Sequence, residues 1–340
     1  MAPMTRCCYK KSENIPQCIS EYYVSRARND LGLIIVESAA VNSKEARGYL
    51  DGLEFFNMAH AESWRETTRA IHNEGCKVWI QLFHAGRLTV EEITKTQPVC
   101  PSPITPSNFP SFWRPCVNER IVHFQTKSIY KKPKELSKVE IKNVIQDFVH
   151  SAKLAEVAGF DGIEIHGAHG YLLHQFCLPH INKRNDFYGL DHGTFKFNYD
   201  LINTCKKFIN IPISYRLSLH TIDNPFHRYD LKLNFPGLIK RLEKAGVDIF
   251  HISEIISDKP MLGSKISLLD LVMQNTKKPI IACGAIRTLE QANNLIKKNV
   301  DLVAFGRSLI PNPNLISSFQ ENIKYNAVPY SHEEHFDFLN

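Results

Sequence analysis

The sequence predicts an α/β protein with the architecture of a (β/α)8 TIM barrel, and three observations carry that prediction. Short apolar, β-branched runs recur along the chain. Segments of helical periodicity separate them, and several helices enter the next run through one repeated junction chemistry. The 340 residues exceed the roughly 100 to 200 of a common domain but suit one large barrel. Residues 1–325 are assigned to that barrel and 326–340 to a C-terminal tail.

Taken in order, Ala2–Met4 is a strand stub. The helical segment Ile19–Arg28 leads into the run Leu33–Glu37, and Ala59–Asn73 leads into Lys77–Leu82. Ser137 and Glu140 form a capping box that starts Lys138–Ala158, ahead of the run Gly162–His166. Then Phe195–Phe208 precedes Ile213–Ser218, and Phe235–Ala245 precedes Asp248–Ser253. Ile266–Thr276 precedes Pro279–Gly284, and Leu289–Lys298 precedes Leu302–Arg307. At three junctions, Ala158-Gly159-Phe160-Asp161, Ala245-Gly246-Val247-Asp248 and Lys298-Asn299-Val300-Asp301, Gly or Asn stands where a helix ends in the left-handed conformation. Seven strands and a stub make eight units, which favours a closed barrel; an open doubly wound sheet is the alternative on pattern alone.

One connection breaks the rhythm. Residues 85–136 hold no long helical pattern and carry Pro98, Pro101, Pro103, Pro106, Pro110, Pro115 and Pro133. A long irregular insertion inside a compact domain is usually functional, and this one follows the third strand. A lid over the C-terminal mouth of the barrel is expected there.

Composition narrows the function classes. With 41 basic and 35 acidic residues the net charge is +6 and interspersed, too mild to argue for nucleic acid. No apolar run reaches the roughly 18 residues of a membrane helix, so no membrane span is expected. Nine scattered cysteines, none at the two-residue spacing of metal ligands, read as free thiols in a reducing compartment, which places the protein in the cytoplasm.

Active sites of parallel barrels lie at the C-terminal ends of the strands. Those positions carry Thr5, Glu37-Ser38, Gln81 with His84, His166, His169 and Tyr171, Arg216, Ser253-Glu254, Gly284, and Gly306-Arg307. His166 and His169 can donate hydrogen bonds to a carbonyl or nitro oxygen, and Tyr171 is a phenol placed to give up a proton. Two histidines could also ligate a metal, but no third ligand lies near them and the intervening glycines favour a tight turn, so no metal site is expected. Gly284, Gly306 and Arg307 follow the last two strands, where barrels hold phosphate. A charged Arg216 inside a barrel needs an anionic partner, met by an internal salt bridge or by an electron-rich ring. Gln81 offers a donor and an acceptor to the same ring edge.

Several stretches, in order along the chain, together resemble the old yellow enzyme family of FMN-dependent ene-reductases. They are Met1-Ala-Pro-Met-Thr-Arg-Cys7, Leu33-Ile-Ile-Val-Glu-Ser38, Ile80-Gln-Leu-Phe-His-Ala-Gly-Arg87, the run from Ala158 through His166-Gly-Ala-His-Gly-Tyr171 to Leu173, Asn182 to Gly189, and Leu302 to Arg307 with Asn312-Pro313. The resemblance implies FMN at the barrel mouth, with Pro3, Met4 and Thr5 along its edge and Ser38 and Gln81 at the ring. It implies Arg216 beside the pyrimidine and Gly284, Gly306 and Arg307 on the phosphate. NADPH or NADH would reduce the flavin, and an electron-poor alkene would then bind. His166 and His169 would hold the alkene's activating oxygen, the flavin would deliver hydride to the β carbon, and Tyr171 would protonate the α carbon.

Departures from the family pattern set further expectations. Met1 falls inside the family's first strand, so an incomplete strand with an exposed edge is expected. After Gly189 the chain reads Leu190-Asp-His-Gly-Thr-Phe195 instead of the family's Gly-Ser continuation. Tyr330 and Phe336 are candidates for the tail residue that relatives place over the substrate. Two rival functions are a phosphate-binding barrel lyase or isomerase without flavin, and a degenerate barrel kept for binding.

Overall fold

A computed structural model describes residues 1–9, 14–106, 130–190, 195–223, 234–260, 265–321, 326–331 and 335. Its strands are β1 (Leu33–Ala40), β2 (Lys77–Phe83), β3 (Val99–Cys100), β4 (Lys134–Glu135), β5 (Gly162–His166), β6 (Ile213–Leu217), β7 (Ile249–Ser253), β8 (Ile280–Cys283) and β9 (Leu302–Ala304). One parallel sheet runs β1-β2-β5-β6-β7-β8-β9, and β3 pairs with β4 separately. The two outer strands of the large sheet meet through Met1 and Ala2. The Met1 amine donates to the Leu33 carbonyl (2.6 Å), Ile35 N–H to the Met1 carbonyl (3.1 Å), and Ala2 N–H to the Phe305 carbonyl (2.9 Å). These bonds curl the sheet into a barrel. Ala2–Met4 itself is not a regular strand, because Pro3 has no N–H with which to continue a ladder.

The described helices are α1 (Gln17–Ala27), α2 (Met58–Asn73), α3 (Glu91–Thr94), α4 (Lys138–Ala158), α5 (Leu172–Gln175), α6 (Lys196–Phe208), α7 (Phe235–Ala245), α8 (Leu268–Met273), α9 (Leu289–Ile296) and α10 (Leu315–Gln320). Of these, α1, α2, α4, α6, α7, α8 and α9 alternate with the strands where the periodicity predicts them, and the short α3, α5 and α10 are additional. The Ser137–Glu140 capping box starts α4, and Gly159, at φ 85°, ends it. The segment expected to be helical over Ile266–Thr276 is shorter, because the Ser267 hydroxyl accepts the Asp270 N–H and fixes the helix start beyond it. Thr288 and Gln291 form a second capping box at α9.

Alternation along the strands sorts the core into two parts. Outward residues such as Ile34, Val36, Ile80, Ile163, Tyr215 and Phe250 pack under the helices. Inward Ile35, Trp79 and Ile281, with Ala2 and Ala304, form a separate apolar plug near the N-terminal ends of the strands. Above the plug the inward side chains turn polar: Gln81, Glu164, Ser214, Arg216, His251 and Ser253, all buried. The stretch expected to form a lid begins with a 3-10 turn at Gly86–Leu88, then α3 and the β3–β4 pair, with no long helix among its described residues. Its centre, residues 107–129, lies outside the described residues, as do 191–194 and Phe336.

Candidate active site

The site begins with a β-bulge. Val36 pairs with Ile80 but Ser38 pairs with Gln81, so Glu37 is one residue too many. The extra residue reverses the alternation and turns Ser38 inward, where its hydroxyl donates to Gln81 Oε1. Glu37 turns instead toward α1 and the N-terminal segment. Its carboxylate accepts the Arg6 N–H at 2.7 Å and lies 3.4 Å from the hydroxyls of Tyr9 and Tyr23. Burial outweighs these donors and pushes the Glu37 carboxyl up to about 7. A carboxyl raised in the folded state stabilises fully below the unfolded value near 4.5, and that contribution fades as pH rises through about 7. Unfolding free energies from denaturant titrations at pH 5 and pH 8 are therefore expected to differ by an extra increment on the order of 3 kcal/mol in the native chain, lost in Glu37→Gln. Equal increments in both proteins would remove Glu37 as the cause.

Glu164 is the polar hub of the barrel interior. It accepts from Gln81 Nε2 (2.7 Å), Ser214 Oγ (3.1 Å) and His251 Nδ1 (2.6 Å), and stands 3.6 Å from the Arg216 guanidinium. Burial opposes its charge, but His251 and Arg216 together hold it down to about 2. Burial lowers His251 against the pull of Glu164, to which its Nδ1–H donates. Arg216 donates onward to Ser253 Oγ (2.8 Å), and its Nε, buried, has no partner. The internal salt bridge weighed for Arg216 thus exists, and one of its donors remains unused.

The turn after β5 gathers the candidate catalytic residues. His169 and Gly170 take left-handed backbone at φ 60° and 85°, which reverses the chain within one turn. A side chain at Gly167 would meet the Tyr215 ring at 2.1 Å, so that ring admits only glycine. Ring centroids lie 5.1 Å apart for His166 and His169 and 4.7 Å apart for His166 and Tyr171. His166 Nδ1 accepts the Ala168 N–H (3.3 Å), which leaves the ring proton on Nε2. Burial keeps both imidazoles neutral, well below the usual histidine range. His169 Nε2 lies 3.1 Å from Ser253 Oγ, which joins the histidine pair to the Arg216 end of the site.

At the opposite rim, Pro3, Met4 and Thr5 are half-buried. A Cβ at Gly306 would find only Met4 Sδ, at 3.7 Å, so its backbone faces open space. Arg307 beside it is exposed, and no described residue accepts from its guanidinium. Gly284 has a packing reason of its own: at φ 147° a Cβ would lie 2.3 Å from the Glu254 carbonyl. An unused buried guanidinium N–H, the paired amide and hydroxyl of Gln81 and Ser38, and an open glycine beside a free arginine suit a flavin ring with a phosphate tail.

Three further groups lie about the site, and of their members only Arg87 belongs to a stretch that the sequence marks. The hydroxyl of Tyr49 meets that of Tyr171. His220 packs 4.9 Å from His169 and lies 3.3 Å from the Glu254 carboxylate. Arg87 and Asp223 form a buried ion pair that ties the start of the insertion to the loop after β6. His84, pushed down to about 3 by burial, accepts the Gly86 N–H and serves the turn it begins. Of the tail candidates, Tyr330 stacks on His335, whose carbonyl accepts from Arg6.

Comparisons with known proteins place the chain in a family. The model of the NADH:flavin oxidoreductase / NADH oxidase family matches residues 1–326. An NADH oxidase of Thermoanaerobacter brockii is 33% identical over 92% of the chain, which spans about half (47%) of that longer protein. An NADPH dehydrogenase of Listeria innocua is 32% identical over 89% of this chain and 83% of its own. The structure of the old yellow enzyme homologue from Zymomonas mobilis superposes with a TM-score of 0.83 at 25% identity, covering 99% of this chain and 94% of the other. The chain thus belongs to the NADH:flavin oxidoreductase family, the old yellow enzymes, whose cofactor is FMN and whose reductant is NADH or NADPH.

Proposed function

We propose that this protein reduces activated C=C bonds of electron-poor alkenes, namely α,β-unsaturated carbonyls, nitroalkenes and quinones, at the expense of NAD(P)H. The observation that carries the reading is the row Tyr171, His166, His169 facing the end of the barrel where Arg216 keeps an unused donor. When bound, FMN supplies a hydride that it has received from the nicotinamide. Ser38, Gln81 and Arg216 would hold the ring, and Gly284, Gly306 and Arg307 the phosphate. His166, with its proton on Nε2, donates to the activating oxygen of the alkene, and His169 supports the same oxygen. Neutral donors fixed in a dry site stabilise the enolate-like charge that grows on that oxygen. The Tyr171 hydroxyl then hands its proton to the α carbon.

The test is a visible spectrum of the purified protein, then anaerobic reduction by each nicotinamide and reoxidation by a panel of enones, nitroalkenes and quinones. A colourless protein, or a flavin that no alkene reoxidises, refutes the reading. Arg307→Ala is expected to lower FMN occupancy by removing a charge-assisted hydrogen bond, on the order of tenfold in Kd. Full occupancy at limiting FMN would contradict the phosphate assignment.

A further inference from the structure

Tyr49 lies in the segment between β1 and α2, and that segment is firmly seated. Ala40 N–H donates to the Leu53 carbonyl and Phe55 N–H returns to the Ala40 carbonyl, both at 2.9 Å. Ala85 N–H donates to the Ala46 carbonyl (3.0 Å), and the Thr89 hydroxyl to the Glu45 carbonyl (2.7 Å). The Tyr49 ring stacks on Phe83 with centroids 6.1 Å apart, and Phe83 in turn meets Tyr171 edge-on at 4.8 Å. Three packed rings therefore fix both phenols, and their hydroxyls are hydrogen-bonded. Tyr49 also lines a small cavity with Ser38, Arg47, Gly52 and Phe83. At its edge Arg47 pairs with Glu54 at 2.7 Å, with side chains 16% and 26% exposed.

We infer that Tyr49 is a proton relay, which donates its hydroxyl proton to Tyr171 as Tyr171 protonates the substrate, and which is refilled from solvent through this cavity. The inference rests on the reading of Tyr171 as proton donor. A phenol has one O–H. If that of Tyr171 points at the α carbon, the bond between the two hydroxyls must run from Tyr49 to the Tyr171 oxygen. The protons balance. The Tyr171 O–H breaks as the new C–H forms, the Tyr49 proton passes to the Tyr171 oxygen, and the Tyr49 oxygen takes a proton from a water in contact with bulk solvent. One solvent proton enters per alkene reduced, and the two electrons come with the hydride. A hydrogen bond to a developing phenolate is a charge-assisted one, so its loss should slow the step by roughly ten- to a hundredfold.

Anaerobic stopped-flow reoxidation of the NADPH-reduced holoenzyme by 2-cyclohexenone, in mixtures of H2O and D2O, tests the relay. The native enzyme should give a bowed proton inventory, the mark of two protons in flight. Tyr49→Phe should be slower and give a straight one. Tyr49→Phe combined with Tyr171→Phe should be no slower than Tyr171→Phe alone. FMN content and melting temperature establish that each variant is folded and loaded. If Tyr49→Phe loses FMN, 3,5-difluorotyrosine at position 49 keeps the ring and should change the isotope effect. Native rate and curvature in Tyr49→Phe, a double variant slowed by both factors, or an isotope effect unmoved by difluorotyrosine each overturn the relay. Should Tyr171→Phe itself reoxidise at the native rate, the proton-donor reading falls and the relay with it. Should Tyr171→Phe be slow while Tyr49→Phe is native, only the relay falls.

Discussion

Tyr171→Phe is expected to slow reoxidation of the reduced enzyme by an enone by about 10²- to 10³-fold, the usual contribution of a positioned general acid. Reduction of the bound flavin by NAD(P)H should change little, because that half-reaction takes no proton from the phenol. The variant is expected to fold. The Tyr171 ring is buried among apolar and aromatic neighbours, with Phe83 edge-on at 4.8 Å and His166 at 4.7 Å, and phenylalanine keeps all of that packing. What the substitution removes is the hydroxyl and its bond to Tyr49. The expected signature is therefore a loss in kcat/KM for the alkene with unaltered saturation by the nicotinamide. Equal losses in both half-reactions would mean that Tyr171 shapes the flavin site instead of acting on the alkene.

Much of the scaffold that presents this residue is legible in the sequence. Lys138–Ala158, Gly162–His166 and Phe235–Ala245 occur with the boundaries that periodicity, the Ser137–Glu140 cap and the terminal glycines predict. Those signals are local, so local physics decides them. The turn from His166 to Tyr171 is likewise visible, because its members lie within six residues of each other.

What the sequence hides depends on pairing across long separations. The bulge at Glu37 exists only in the register of β1 against β2, and without it Ser38 would face the helices and Glu37 the site. Tyr49 stands 122 residues before Tyr171, and Asp223 lies 136 residues beyond Arg87. No spacing rule reaches that far. Trp79 reads as one more apolar residue of a strand, yet it faces inward and helps form the plug beneath the polar layer. His251, which neither a motif nor a strand end marks, is one of the donors that keep Glu164 ionised.

Glu164→Gln is expected to be the most destabilising substitution of the barrel interior. The carboxylate is fully buried and is the counter-charge that the structure gives Arg216, 3.6 Å away. Gln retains the shape and one acceptor oxygen, enough for either Gln81 or the Ser214–His251 side but not both, and leaves the guanidinium buried without its anion. Removing one member of a buried pair typically costs about 3–5 kcal/mol. In a chain of this size that corresponds to a fall in Tm of about 4–7 °C. The pH dependence separates charge loss from simple misfit. A carboxyl lowered to about 2 in the folded state stabilises above the unfolded value near 4.5 and loses that contribution as pH falls toward 2. The gap in denaturant midpoint between native and variant proteins should thus be widest above pH 5 and narrow below pH 4.5, whereas a packing defect would keep it constant. Arg216→Met in the Glu164→Gln background removes the stranded cation and should recover part of the loss, a coupling that a double-mutant cycle reads directly. The same double variant should hold FMN more weakly if the unused Nε–H of Arg216 serves the ring as proposed. Recovery of stability together with loss of flavin would separate the two roles of Arg216, as partner of Glu164 within the barrel and as ligand at its mouth.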